Sequence, residues 1–314
     1  MMSSKSGGSP PPAPVRTLPP ESWPHYVLYC RVREALLSLP LYFRSQTVIE
    51  GIAATDIFTL NSALGATIET QVVATLNRIR KVWDPDDKYP LYGFVRQSQA
   101  FPDLVLRRSP DAKLQPNEEA PLFGIELKGW YLLSKEGEPS GRYKVTPSAC
   151  AAADLLVVVP WVLTNVLAGT PVVHAPYIES ARYAAERRNY HWQYIREAKS
   201  DSKINQPANA RTYPKKADTV SDKPVSDSGG NFGRFARAGY MDEFFDKARQ
   251  ELIAGIRAEH WLSFFKLFQD QTDRSAIGIE IEKLRRKLAD NEIATNERVE
   301  SSLAILANLE RLLA

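Results

Sequence analysis

Residues 121–135, PLFGIELKGWYLLSK, have the composition of the strand on which the fold is built. Its charged residues Glu126 and Lys128 are two positions apart in a run of apolar ones. Since side chains two apart in a strand point to the same face, Glu126 and Lys128 project together, while Ile125 and Leu127 face the opposite, buried side. A charged pair on an otherwise apolar strand costs free energy, so its presence there indicates a function. The segment therefore predicts a central strand that carries chemistry.

The residues before this strand predict a helix and two shorter strands. Apolar residues from Leu60 to Trp83 recur at three- and four-residue steps, which indicates a long amphipathic helix. The segments YGFVRQSQ (92–99) and AFPDLVLRR (100–108) have strand-like composition. We therefore expect a helix followed by consecutive strands.

The residues after the central strand predict a parallel partner for it. GRYKVT (141–146) has the composition of a strand joined to the central one across EGEPS, and a short helical stretch follows at 147–153. DLLVVVPW (154–161) is a nearly continuous apolar run, as a strand buried on both faces requires. A crossover through 147–153 would pair it in parallel with the central strand. The order predicts a mixed α/β core.

Two carboxylates and one lysine are the candidate chemical groups of this core. Asp103 follows Pro102 at the start of a predicted strand, and Glu126 and Lys128 lie on the next one. Two carboxylates on neighbouring strands form an oxygen site suited to a hard divalent ion such as Mg²⁺. Lys128 would orient or deprotonate an attacking water, or stabilise charge on a phosphate. The alternative interpretations are an exposed ion pair for Glu126 and Lys128, and a turn residue for Asp103.

A third carboxylate lies on the predicted long helix. Glu69 is about 100° from Ile68 on a helical wheel, so it borders the apolar stripe. This position is compatible with a metal ligand and with a solvated helix charge, and both interpretations stay open.

The dipeptide Pro102–Asp103, the triplet ELK at 126–128 and the preceding helix with Glu69 resemble the PD-(D/E)XK nuclease superfamily. The resemblance covers residues 56–161 of 314, and the layout with a large C-terminal addition looks most like a bacterial type II restriction endonuclease. It implies a restriction-endonuclease-like α/β fold, with a mixed sheet flanked by helices and a helical C-terminal extension.

The same resemblance implies the role of each residue. Asp103 and Glu126 would hold Mg²⁺, for which Mn²⁺ can substitute, and the carbonyl of Leu127 would add a ligand. Lys128 would assist the water. Glu69 would match the acidic residue that many members place on the first core helix, as a ligand that acts directly or through water. Asp103, Glu126, Lys128 and Glu69 are thus the predicted catalytic residues.

The function implied is a Mg²⁺-dependent endonuclease that hydrolyses phosphodiester bonds of duplex DNA, as a type II restriction enzyme does in phage defence. Its implied partners are double-stranded DNA, a second copy in a homodimer and a cognate methyltransferase that acts on the same sites. Two alternatives stay open. One is a catalytically inactive DNA-binding or assembly subunit of a defence complex, and the other is a repair or junction nuclease of the same superfamily.

Positive charge is concentrated in one part of the chain. The whole chain carries 40 Lys and Arg against 37 Asp and Glu, but residues 180–240 carry 12 against 6, an excess of 12 − 6 = +6. DNA contact must come from such locally segregated charge. DSGGNFGRFAR (227–237) is a predicted groove-contacting loop, with a flexible solvated loop as the alternative. The predicted DNA-binding residues are Arg187, Arg188, Lys215, Lys216, Asn231, Arg234 and Arg237.

Composition divides the chain into four regions. Residues 1–22 are rich in Pro, Ser and Gly and predict a flexible tail. The nuclease core spans 23–197, a basic loop region spans 198–240, and a helical region that covers the core or dimerises spans 241–314. The chain lacks an apolar run of membrane-spanning length and its start lacks the apolar core of a secretory signal, so a cytoplasmic protein without membrane contact is expected.

Overall fold

The structure is a computed structural model that describes residues 10–97, 100–108, 121–135, 137–139, 141–196, 201–270, 274–289, 300 and 302–307. Residues 1–9 of the predicted tail lie outside the described residues. The main helices are α1 (Tyr26–Leu37), α2 (Leu39–Tyr42), α3 (Leu60–Arg78), α4 (Arg80–Trp83), α5 (Ala181–Tyr190), α6 (Asp242–Arg249), α7 (Ala258–Asp270) and α8 (Arg274–Ala289). The strands are β1 (Tyr92–Arg96), β2 (Leu104–Arg108), β3 (Phe123–Tyr131), β4 (Leu155–Leu163), β5 (Pro171–Val173), β6 (Tyr177–Ser180), β7 (Ile204–Asn205), β8 (Lys223–Pro224), β9 (Leu252–Ile253) and β10 (Ile256–Arg257).

A mixed six-stranded sheet forms the centre of the fold, which confirms the predicted α/β class with helices on a mixed sheet. The order is β1, β2, β3, β4, and both β5 and β6 pair with the far edge of β4. The β3–β4 pair is parallel and the other pairs of this sheet are antiparallel. Every residue of β4 is buried, as its continuous apolar sequence predicts.

The connection between β3 and β4 differs from the prediction. Residues 147–149 form a single 3₁₀ turn instead of a helix. The segment 141–146 is not a strand of the main sheet, since it makes only isolated bridges, from Arg142 to Arg234 and from Val145 to Ser221. Its backbone groups bond to the basic region 201–240, which holds the segment away from β3.

The predicted long helix is interrupted after Arg78. The indole N–H of Trp83 donates to the Leu76 carbonyl at 2.9 Å, an oxygen that the amide of residue 80 would use in a continuous helix. The chain then resumes as the short α4, with Trp83 in the core.

The predicted terminal regions pack on the same core as the sheet. Phe245 of α6 lies edge-on to Trp130 of β3 at 5.4 Å, so α6 packs against the sheet. Residues 10–22, predicted to be flexible, hold defined contacts, since Arg16 Nε donates to Glu179 Oε1 at 2.8 Å. Among the described helices, none is both long and apolar enough to cross a bilayer.

Candidate active site

The predicted catalytic residues meet where β2 and β3 separate. The β2–β3 ladder ends at the pair Leu104–Ile125, and Asp103 continues along the edge of β3 in place of a strand. Asp103 Oδ2 accepts a hydrogen bond from the Leu127 amide at 2.9 Å, and the Asp103 amide donates to Glu126 Oε2 at 3.3 Å. The start of β2 therefore holds its carboxylate directly beside that of Glu126.

Lys128 joins these two carboxylates. Its Nζ lies 2.7 Å from Glu126 Oε1 and 3.5 Å from Asp103 Oδ2. Glu126 is 8% exposed, so the alternative interpretation of an exposed ion pair is wrong. The alternation of β3 brings the two side chains to one face, as predicted.

Glu69 approaches the same strand from α3. Its Oε1 accepts a hydrogen bond from the Gly129 amide at 3.4 Å. A Cβ at Gly129 would lie only 3.6 Å from the Cα of Gly65, so the helix and the strand are in close contact at this point. Glu69 is half-buried against β3 and is not a fully solvated helix charge.

The charges of this cluster repel one another in part. The pKa of Glu126 is raised to about 7. Burial is the largest cause, and Asp103 also raises this pKa, whereas Lys128 lowers it. The pKa of Glu69 is also raised, by burial first and then by Asp103. Burial alone would lower the pKa of Lys128, but Glu126 and Asp103 outweigh it and raise that pKa. Three carboxylates thus face one ammonium, so the cluster carries more acidic than basic groups and would attract a further positive charge.

The donor set fits a hard divalent cation that is held partly by water. Within the described residues, no group of three or more His, Cys, Asp or Glu is arranged to hold a metal ion. Mg²⁺ is usually bound through one or two carboxylates, with water and substrate phosphate completing its shell. Since the amide and carbonyl of one strand residue point to the same side, the Leu127 carbonyl also faces the Asp103 edge. Asp103, Glu126 and the Leu127 carbonyl match this binding mode.

Two further residues, which the sequence interpretation missed, support Asp103 from behind. A Cβ at Gly124 would lie 2.1 Å from Pro102 Cγ, so only glycine lets Pro102 approach β3 this closely. Asp154 accepts hydrogen bonds from the Gly124 amide and the Ala151 amide, both at 2.7 Å, and from the Tyr213 hydroxyl at 3.2 Å. The signal for Asp154 was an acid that opens an otherwise apolar buried run.

No family model, curated protein or solved structure matches this chain. The assignment of the site therefore depends on its own geometry.

One predicted DNA-binding residue is not on the surface. Arg188 is 3% exposed and its guanidinium contacts Asp222 Oδ2 at 2.5 Å, where Asp222 is fully buried. It also donates to the carbonyls of Tyr143 and Val145, at 2.7 and 3.0 Å. The prediction that Arg188 contacts DNA is wrong for this conformation, because its charge is used to join α5 to the segments on both sides of it.

The other predicted DNA-binding residues divide into three groups. Lys215 and Lys216 are exposed on a turn next to Tyr213. Arg237 donates to Glu138 Oε1 at 2.7 Å and to Asn231 Oδ1 at 2.9 Å. The remaining two, Arg187 and Arg234, are half-buried, and Arg187 donates to the Ala238 carbonyl at 3.4 Å.

Gly124→Ala should lower the free energy of unfolding by about 1–3 kcal/mol, because the added methyl group overlaps Pro102 and pushes the Asp103 segment away from β3. Gly65→Ala is the matched control. Its Cβ would meet no neighbouring atom within 4 Å, and alanine should stabilise α3 by about 0.5–1 kcal/mol. Urea unfolding measures both, and equal stability of the two variants would contradict the close packing.

Arg188→Met should lower the free energy of unfolding by about 3–5 kcal/mol, because it leaves the buried Asp222 without its cationic partner and with a hydrogen bond from Asn189 only. Lys216→Met removes the same charge from an exposed position and should change stability by less than about 0.5 kcal/mol. A stable Arg188→Met protein that binds DNA weakly would restore the surface role of Arg188.

Proposed function

We propose that this chain is a Mg²⁺-dependent endodeoxyribonuclease with the restriction-endonuclease-like fold of the PD-(D/E)XK superfamily, most similar to a bacterial type II restriction endonuclease. One observation carries the proposal. Asp103, Glu126 and Lys128 form a single bonded cluster, with Glu69 beside it, where β2 leaves β3. This is the residue set that the superfamily motif requires.

Each residue of the cluster has a chemical task in phosphodiester hydrolysis. Asp103, Glu126 and the Leu127 carbonyl would hold Mg²⁺, with Glu69 acting directly or through water. The bound ion would supply positive charge to the phosphate oxygens and lower the pKa of a water ligand. Lys128 is held 2.7 Å from Glu126 and presents an ammonium that can orient the attacking water or stabilise charge on the phosphate.

Duplex DNA is the proposed substrate. The excess of positive charge in residues 180–240 supports it, because cations that replace the counterions of the phosphates supply the binding energy. Tyr213 bonds to Asp154, which in turn holds Gly124, so the exposed Lys215 and Lys216 belong to a turn that is anchored behind the catalytic strand.

The proposal includes a homodimer and a cognate methyltransferase. Two symmetric copies would present two catalytic sites to the two strands of a duplex. Methylation of the same sites would protect the DNA of the host from the nuclease. Gel filtration with and without DNA tests the dimer directly.

Asp103→Asn, Glu126→Gln and Lys128→Met should each reduce cleavage of unmethylated plasmid and phage DNA at least about 100-fold, because each removes a group that acts on the phosphate or the water. Asp246→Asn and Lys88→Met change the same residue types at exposed positions and should cleave like the wild type. Discrete fragments in Mg²⁺ or Mn²⁺, lost in EDTA, are the expected product.

The pattern of cleavage distinguishes the proposal from its alternatives. DNA binding without any cleavage by the wild type would favour the inactive subunit. Preference for branched over linear duplexes would favour a junction nuclease. Equal cleavage by the wild type and all three variants would show that the catalytic residues are wrongly assigned.

Mg²⁺ and Mn²⁺ should bind to the wild type and raise its melting temperature, since an ion that binds only the folded chain stabilises it. Asp103→Asn and Glu126→Gln should each lower the affinity for the ion at least about tenfold, because each removes a charged ligand from a site with few protein donors. Glu69→Gln should have a smaller effect. Calorimetric titration measures each affinity, and unchanged affinity in Asp103→Asn would exclude this metal site.

A further inference from the structure

A second site is suggested by a cavity of about 530 Å³ on the basic side of the molecule. It lies between the end of α5, the π-helical turn His191–Ile195 that follows it, and the segment 226–238. Ligand pockets of this size commonly hold drug-sized molecules and are far larger than a single phosphate needs. Single π-turns inserted at the end of an α-helix are frequent at functional sites.

The lining of this cavity is rich in arginine. Arg188, Arg196, Arg234, Arg237 and His191 line it, and no acidic residue is among the described lining residues. Asp222 and Glu138 neutralise Arg188 and Arg237, respectively. Arg234 has no carboxylate within ion-pair distance among the described residues, and Asp201 and Asp227 act on Arg196 only from beyond that distance. The cavity therefore favours an anionic ligand.

Buried polar groups of the lining have no protein partner. The Nε of Arg234 and the indole Nε1 of Trp192 are buried and have no hydrogen-bond acceptor in the described part of the chain. Trp192 is only 6% exposed. Buried donors without an acceptor cost free energy, so the polar groups of this wall are not all satisfied by the described part of the chain.

A flat platform lies beside these donors. The Arg196 guanidinium sits over the Trp192 ring at 3.4 Å, held by bonds from its Nε to the Trp192 carbonyl and from its terminal nitrogen to the Asp201 carbonyl. Nucleobases stack on guanidinium planes and aromatic rings of this kind. The amide of Asn231 and the hydroxyls of Ser226 and Ser228 add polar groups that can read the edge of a base.

Tyr143 connects the wall of the cavity to the segment that carries Asp103. Tyr143 packs on Phe101, two residues before Asp103, at a ring distance of 6.2 Å. Its carbonyl accepts from Arg188 and its amide donates to the Gly233 carbonyl at 2.7 Å, and both residues line the cavity.

We propose that this cavity binds one nucleotide unit, with its phosphate on Arg234 and its base on the Arg196 platform. The unit is either a free mononucleotide or an unpaired nucleotide of a DNA strand, since both present the same base and phosphate. The site uses neither the carboxylate cluster nor a metal ion, so it goes beyond the proposed nuclease function and can be tested without it.

Calorimetric titration of the full chain in EDTA tests the proposal with the four deoxynucleoside 5′-monophosphates and with inorganic phosphate as probes. At least one nucleotide should bind about tenfold or more tightly than phosphate, because the base adds stacking to the phosphate contact. A second titration compares a short duplex that contains one unpaired nucleotide with the fully paired duplex. If the duplex with the unpaired nucleotide binds more tightly, the natural ligand is a nucleotide of a DNA strand. If both duplexes bind equally and a mononucleotide binds, the natural ligand is the free nucleotide.

Matched variants locate the site. Arg234→Ala should lower the affinity for the preferred probe at least about tenfold, because a charge-assisted hydrogen bond is lost. Asn231→Ala, an exposed position, should reduce the preference among bases, and Lys88→Ala, an exposed position outside the cavity lining, should leave the affinity unchanged. The titrations are made in EDTA and measure binding only, so failure of the nuclease assignment does not affect this result. The proposal is overturned if no probe binds, if phosphate binds as tightly as the nucleotides, or if Arg234→Ala binds like Lys88→Ala.

Discussion

The parallel pairing of β3 with β4 is the constraint on which the rest of the structure depends. Because β4 is buried along its whole length, helices must cover both faces of the sheet and β3 must lie at its centre. On the other side, β2 pairs with only the first part of β3. The open edge that remains beyond Ile125 gives backbone amides to carboxylates instead of to a strand, and there Asp103 and Glu69 bind. The candidate site is thus a consequence of an incomplete ladder beside a complete one.

Burial of charge at this edge sets the chemistry of the cluster. Three carboxylates and one ammonium are partly removed from water together, and the raised pKa values of Glu126 and Glu69 reflect both burial and the repulsion by Asp103. A core selected for stability alone would have apolar residues at these positions, since replacing buried ion pairs by apolar groups is often neutral or stabilising. The proposed nuclease function gives these charges a role, because a cation and a phosphate would both interact with them.

The basic region has two different uses for its positive charge. Arg188 forms a buried ion pair with Asp222 that joins α5 to the region 201–240, whereas Arg196 and Arg234 line a cavity and form no ion pair among the described residues. Tyr143 contacts residues of both the cavity and the catalytic side of the molecule. The composition of this region predicts a loop excursion, but part of it packs behind β3.

Local patterns were sufficient for the elements that periodicity controls. The alternation of residues 123–131, the apolar run of β4 and the stripe of α3 determine those elements, and alternation alone places Glu126 and Lys128 on one face. Contacts between distant segments were determined only by the tertiary structure. No local signal tells that the segment 141–146 bonds to Gly233 and Ser221 and not to β3, or that Arg188 is buried while Lys216 is exposed. Such contacts depend on where long connections lie in the folded chain. The charge of a side chain follows from its own chemistry, whereas its burial depends on which distant segment packs over it.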